Sequence, residues 1–131
     1  MSITPDSHRR TVVLIEDNPE LSESVRRILE QGGIEVMVLD DGLTAEAYIA
    51  TQQPPDVVVL DIVLPNRDGY QLLEQIRASP RWKLVKTLML TSLDTTLDVR
   101  RARKLGADDY LFKPVASDIL LRHVLRLANA P

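Results

Sequence analysis

Residues 56–69 read DVVVLDIVLPNRDG. Val57, Val58, Val59 and Leu60 are apolar at consecutive positions, where a strand with one face in water would alternate. A strand of this kind must be covered on both sides, which is the condition of an open parallel sheet between layers of helices. Asp61 ends the run. Beyond it, Asp68 is placed to cap a helix, with Gln71 reaching back three residues later.

Four further runs of strand character flank this one: Thr11 to Ile15, Ile34 to Leu39, Thr87 to Leu90 and, more weakly, Tyr110 to Phe112. The run read above is itself taken as Asp56 to Leu60. Between the runs, apolar residues recur at helical spacing. Leu21, Val25, Ile28 and Leu29 form one stripe behind Asn18 as N-cap and Pro19 at the first helical position, and Gly32 and Gly33 stop it. Leu72, Leu73 and Ile76 form another after Asp68. A fourth helix is expected from about Thr96 to Leu105, with Gly106 as its left-handed cap. A last helix, from about Ser117 to Asn129, carries Ile119, Leu120, Val124 and Leu127. Five strand-then-helix units imply right-handed crossovers and a doubly wound α/β fold, a (βα)5 three-layer sandwich; five are too few for a barrel.

A chain of 131 residues can bury about two thirds of its unfolded surface as one domain, and dividing it would leave two marginal cores. Its net charge of −3 gives no overall attraction to nucleic acid or to an anionic membrane, so neither is expected as a direct partner. Without cysteine there can be no disulfide, thiolate metal site or cysteine nucleophile, and a cytoplasmic location is expected. Residues 1–9 are polar, lack the apolar stretch of a signal peptide and are expected to be a flexible lead-in to a domain at 10–129.

Ligands of open parallel sheets bind beyond the carboxyl ends of the strands. Those positions hold Glu16 and Asp17 after the first strand, Asp61 after the third, Thr91 and Ser92 after the fourth, and Lys113 and Pro114 after the fifth. Taken singly, each has a structural reading: Asp17 or Thr91 as a helix cap, Asp61 as a turn former, Lys113 as a surface cation. Together they place three carboxylates, a hydroxyl and an ammonium on one edge. Crowded carboxylates resist ionisation unless a cation relieves them, and a hard oxygen site with few protein ligands suits Mg²⁺. Lys113 and Thr91 would then receive a phosphoryl group. The acidic run EDNPE at 16–20 would repel a flavin phosphate, and no nucleotide-binding glycine loop or hydrolase triad is present.

In order and spacing, VVLIEDNPE, VVVLDIVLPNRDG, LMLTS and GADDYLFKP resemble the receiver domains of response regulators, over Arg10 to Ala128. The resemblance implies a flavodoxin-like sheet of strand order 2-1-3-4-5, with Asp61 as phosphoacceptor. It implies that Glu16, Asp17, Asp61 and the backbone carbonyl of Val63 hold Mg²⁺. Lys113, Thr91 and Ser92 would attend the phosphoryl group, Tyr110 would follow Thr91 as the switch aromatic, and Pro114 would follow a cis peptide. Implied partners are a histidine kinase or histidine phosphotransfer protein, and a downstream protein or output domain reached through the face of the fourth helix, fifth strand and fifth helix. That face carries Arg100, Arg101, Arg103 and Lys104 beside Asp108 and Asp109. The run is either a solvated helix face or an interface, with an acidic partner or across a two-fold homodimer.

Two other readings remain. One is an interaction module that keeps the fold but does without phosphorylation, against which the intact Asp61, Lys113, Thr91 and acidic pair speak. The other is an enzyme with a nucleophilic aspartate, which ordinarily carries a second carboxylate two residues on, where this chain has Val63. The chain is therefore expected to catalyse only its own modification. His8 and His123 are read as exposed or packing residues, and Trp82 as remote from Asp61. Within the 131 residues there is no DNA-binding, cyclase or kinase segment, as suits a stand-alone regulator or a receiver in a longer chain.

Overall fold

The computed structural model describes residues 9–130, so His8 and nearly all of the expected lead-in lie outside the described residues. The elements alternate as expected: β1 (Thr11–Ile15), α1 (Pro19–Gln31), β2 (Glu35–Leu39), α2 (Gly42–Thr51), β3 (Val57–Leu60), α3 (Gly69–Ala78), β4 (Lys86–Thr91), α4 (Thr96–Lys104), β5 (Asp109–Phe112) and α5 (Ser117–Ala128). All strand pairs are parallel, in the order β2-β1-β3-β4-β5.

The consecutive apolar residues of β3 are divided between two cores, as strand periodicity requires. Val58 and Leu60 face Leu72, Leu73 and Ile76 of α3 and Ala45 and Ile49 of α2. Val57 and Val59 face Val25 and Leu29 of α1 and Leu120 and Val124 of α5. The result is the three-layer sandwich. Trp82 is fully buried in the first core, edge-on to Tyr48, with its indole N–H donating to the Gln52 carbonyl at 2.8 Å. It precedes β4, at the opposite end of the strands from Asp61.

The caps explain the element boundaries. Asn18 accepts from the Leu21 N–H, and Asp68 and Gln71 form the reciprocal box expected of them. At the end of α1, Gly33 has φ +86°, its N–H donates to Glu30 and the N–H of Ile34 donates to Leu29. This is a Schellman closure. Ile34, expected to open the second strand, is therefore the buried residue that seals α1, and β2 begins at Glu35. Asp56, expected in the third strand, instead accepts the Thr11 N–H through its carboxylate at 2.8 Å and ties down the start of β1. β4 is one residue longer at each end than its apolar run, because Lys86 and Thr91 join the ladder without contributing to the pattern.

Arg77, in the last turn of α3, bridges three elements. Its guanidinium donates to the carbonyls of Gly106, Lys83 and Val85, to Thr87 Oγ1 and to Asp108 Oδ2. Gly106, at φ +106°, allows the turn that brings its carbonyl there.

Candidate functional site

The strand ends are brought level by the backbone. The Asp61 N–H donates to the Ile15 carbonyl at 3.1 Å and the Lys113 N–H to the Thr91 carbonyl at 2.9 Å. β1, β3, β4 and β5 thus deliver their next residues to one edge. Glu16, Asp17 and Asp61 each present a carboxylate oxygen within 4.8 Å of the others.

Within this cluster the three acids differ. Asp61 is buried; its Oδ1 accepts the N–H groups of Ile62 at 2.6 Å and Val63 at 3.3 Å, and its Oδ2 accepts Lys113 Nζ at 2.7 Å. Glu16, also buried, accepts Lys113 Nζ at 2.7 Å through Oε1 and the Asn18 N–H at 3.0 Å through Oε2. Asp17 is exposed and has no hydrogen-bond or ion-pair partner among the described residues. One ammonium therefore serves two of the three carboxylates and leaves the third without a counter-charge. Burial pushes the Glu16 carboxyl above its ordinary range although Lys113 and the Asn18 N–H oppose this. Burial by itself would lower Lys113, but its bonds to Asp61 and Glu16 outweigh that and leave it raised. Hard oxygen donors, an excess of negative charge and an open side at Asp17 fit a small divalent cation such as Mg²⁺.

Thr91 is fully buried at the end of β4, and Ser92 after it is exposed. Tyr110 on β5 donates its hydroxyl to the Leu93 carbonyl at 2.7 Å, so it spans to the β4–α4 connection that Thr91 begins. Its phenol pKa is raised, mainly by burial and then by Tyr70, Asp98 and Asp61 nearby. The Lys113–Pro114 peptide is cis. Gly69 lies so close to Asp61 and Ile62 that a Cβ there would overlap the Asp61 carbonyl oxygen and come within 2.7 Å of Ile62 Cα, and its N–H donates to the Ile62 carbonyl at 2.7 Å. The first turn of α3 is thereby fixed against the Asp61 loop. Val63 is 58% exposed beside the cluster.

Two polar groupings outside the acidic cluster have no signature in the sequence. Tyr70 directs its hydroxyl at Asp98 Oδ1, at 3.3 Å, while the Arg101 guanidinium lies 4.0 Å from its ring centroid, so α3 and α4 are joined. His123 is neither simply exposed nor a packing residue: its Nδ1 lies 2.6 Å from Asp109 Oδ2, which also accepts Arg126 at 2.7 Å. Asp109 sits on β5 and the two partners on α5, a pairing that periodicity within either element cannot reveal.

This order of strands, with an acidic cluster and a lysine at their carboxyl ends, defines a doubly wound α/β domain with a charged site at one edge, and the family model described as response regulator receiver domain matches residues 12–125. The chain belongs to that family. Among relatives, it is 35% identical over 116 residues to the DNA-binding dual master transcriptional regulator RpaA of Synechocystis, covering 88% of this chain and 48% of that protein. It is 33% identical over 110 residues to protein PilG of Pseudomonas aeruginosa, covering 84% and 81%. A solved receiver domain of a Pseudomonas aeruginosa sensor histidine kinase, with a magnesium ion coordinated in its active-site cleft, is similar at TM-score 0.84 and 29% identity, covering 93% of this chain and 99% of that one. The chain spans 43% to 48% of the length of the regulators RpaA, VanRc and TrcR. No helix among the described residues is long and apolar enough to cross a membrane.

Proposed function

We propose that residues 10–129 form a phosphorylation switch in which Asp61 accepts a phosphoryl group from a phosphohistidine of a histidine kinase or phosphotransfer protein. The observation that carries this reading is Asp61 itself: a buried carboxylate held by Lys113 at 2.7 Å inside a cluster of two further acids. In the step, a carboxylate oxygen of Asp61 attacks phosphorus in line, a new O–P bond forms, the P–N bond breaks and the imidazole leaves and takes up a proton. Glu16, Asp17, Asp61 and the Val63 carbonyl would hold Mg²⁺, which would supply positive charge beside the phosphoryl oxygens. Lys113 would pair with another of those oxygens, and Thr91, with Ser92 beside it, would donate to the bound group once the β4–α4 connection moves toward it. Tyr110, bonded to that connection through Leu93, would move with it and alter the α4, β5 and α5 face. That face would contact a downstream protein, an attached output domain or a second copy of the chain.

Water attacking the phosphorus later breaks the O–P bond and releases phosphate, so the domain modifies and resets itself and turns over no other substrate. The reading implies a cytoplasmic location, beside the kinases that phosphorylate such domains. The test is intact mass after incubation with acetyl phosphate and Mg²⁺. A single phosphoryl addition that needs Mg²⁺ and is absent in Asp61→Asn is expected; no addition to the wild type, also from phosphorylated histidine kinases, would overturn it.

A further inference from the structure

Among the described residues, every arginine outside α4 pairs with an acceptor in its own chain, from Arg9 on the Gly33 carbonyl to Arg126 on Asp109. On α4, Arg100, Arg103 and Lys104 are exposed and have no such acceptor, and Arg101 lies against the Tyr70 ring alone. Leu97, Arg100, Arg101 and Lys104 follow the i, i+3, i+4, i+7 spacing of one helix face, the one opposite buried Ala102. Leu97 is 74% exposed in the first turn of that stripe, and Phe112 of β5 is 48% exposed on the same three-element surface. The helix dipole accounts for cations in the last turn, but not for a bare leucine in the first.

We infer that the outer face of α4 is a docking surface for an acidic segment of a separate polypeptide, one that sets carboxylates on Arg100 and Lys104 and an apolar side chain on Leu97. The inference rests on the reading of the α4, β5 and α5 face as the output surface and names the chemistry of its partner. A second copy of the chain does not supply that chemistry. The carboxylates of this face are already engaged: Asp98 by Thr95 and Tyr70, Asp108 by Arg77 and Thr87, Asp109 by Arg126 and His123, and Asp118 by Arg122. Two such faces related by a two-fold axis would bring the unpaired cations of α4 together, with Asp94 before the helix as the one neighbouring carboxylate not already engaged. A nucleic acid fits less well. Extended past the start of α4 it meets Asp94 and the strand-end edge that holds Glu16, Asp17 and Asp61, and it has no use for Leu97.

The test uses the full chain with acetyl phosphate and Mg²⁺ and a fluorescein-labelled synthetic peptide rich in Asp and Glu with leucines at helical spacing, read by anisotropy. Its comparisons are the same peptide with Asn and Gln for the acids, the same peptide with Ser for Leu, and a single-stranded oligonucleotide. Binding is expected to fall at least about tenfold in Arg100→Glu/Lys104→Glu and with the neutral peptide, and also in Leu97→Ser and with the serine peptide. Circular dichroism checks that the variants are folded. Absent or charge-independent binding, tighter binding of the oligonucleotide, or self-association in sedimentation that the charge reversal abolishes would each overturn the inference. Phosphorylation is read separately by intact mass: a chain that holds the peptide but takes no phosphoryl group removes the proposed switch, whereas a phosphorylated chain that ignores the peptide removes only this inference.

Discussion

Lys113 Nζ stands 2.7 Å from Asp61 Oδ2, although 52 residues separate the two in sequence. The same ammonium is 2.7 Å from Glu16, so one charge orients Asp61 and neutralises its neighbour. Replacing it by an uncharged chain of similar length, Lys113→Met, leaves both buried carboxylates facing an incoming phosphoryl group without a counter-charge. Phosphoryl uptake from acetyl phosphate is expected to slow by about a hundredfold, the size of the loss when one preorganised donor is removed. An intact-mass time course at fixed Mg²⁺ measures it.

Asp17 is the unpartnered member of the acidic cluster and its open side. Mg²⁺ is expected to raise the melting temperature of the wild-type chain, because a ligand that binds only the folded state stabilises it by mass action. In Asp17→Asn the rise should need a clearly higher Mg²⁺ concentration, and Ca²⁺-free, Mg²⁺-titrated thermal melts compare the two directly. Equal titrations would place the ion elsewhere.

Tyr110 ties pH to the β4–α4 connection. The unfolded phenol ionises at its ordinary value of 10.0, while burial beside Tyr70 and Asp98 raises the folded one. The bond to Leu93 therefore stabilises the fold fully below pH 10, and this contribution is lost as the pH rises through the folded value. Urea unfolding above pH 10 should show a steeper loss of stability in the wild type than in Tyr110→Phe, and the variant should lack a high-pH component of the tyrosinate absorbance titration.

The side chains two positions beyond Asp61 and Thr91 are Val63 and Leu93, one exposed beside the cluster and the other half-buried against the first core. Neither can orient a water by hydrogen bonding, so the aspartyl phosphate is expected to be long-lived. Val63→Asn should shorten its lifetime severalfold, read as loss of the phosphorylated mass after the donor is removed. Trp82 is unsuited to this measurement, buried as it is at the other end of the strands, but suits unfolding experiments.

Arg77 carries a prediction about stability alone. Its guanidinium is shared among α3, the α3–β4 connection, β4 and the turn before β5, so Arg77→Ala should cost about 2–3 kcal/mol in urea unfolding followed by Trp82 emission. Arg77→Lys should recover little of this, since one ammonium cannot reproduce the planar fork.

Much of this protein was legible in the order of its residues. Where a signal is local, it sufficed: four apolar residues in a row at 57–60 demand cover on both faces, Asn18 and Asp68 cap the helices that follow them, and the glycines at 33 and 106 take the left-handed turns that end α1 and α4. The convergence of Glu16, Asp17, Asp61, Thr91 and Lys113 was also readable, because parallel strands must end on the same edge. Boundaries were less so. Ile34 is apolar in either role, and only the hydrogen bond to Leu29 makes it the seal of a helix rather than the start of a strand. α2 offers no clean stripe, since its apolar residues surround the helix and only Ala45 and Ile49 among them are buried. What the sequence by itself could not determine is which polar groups find one another across elements. Arg77 with Asp108, Tyr70 with Asp98 and Arg101, and His123 with Asp109 are pairings set by crossover geometry and side-chain reach, to which no periodicity within a single element is sensitive. The same geometry decided that Asp109 is held within the chain while the cations of α4 face outward, because charge counts fix how many ions a surface carries but only packing decides which of them remain unpaired.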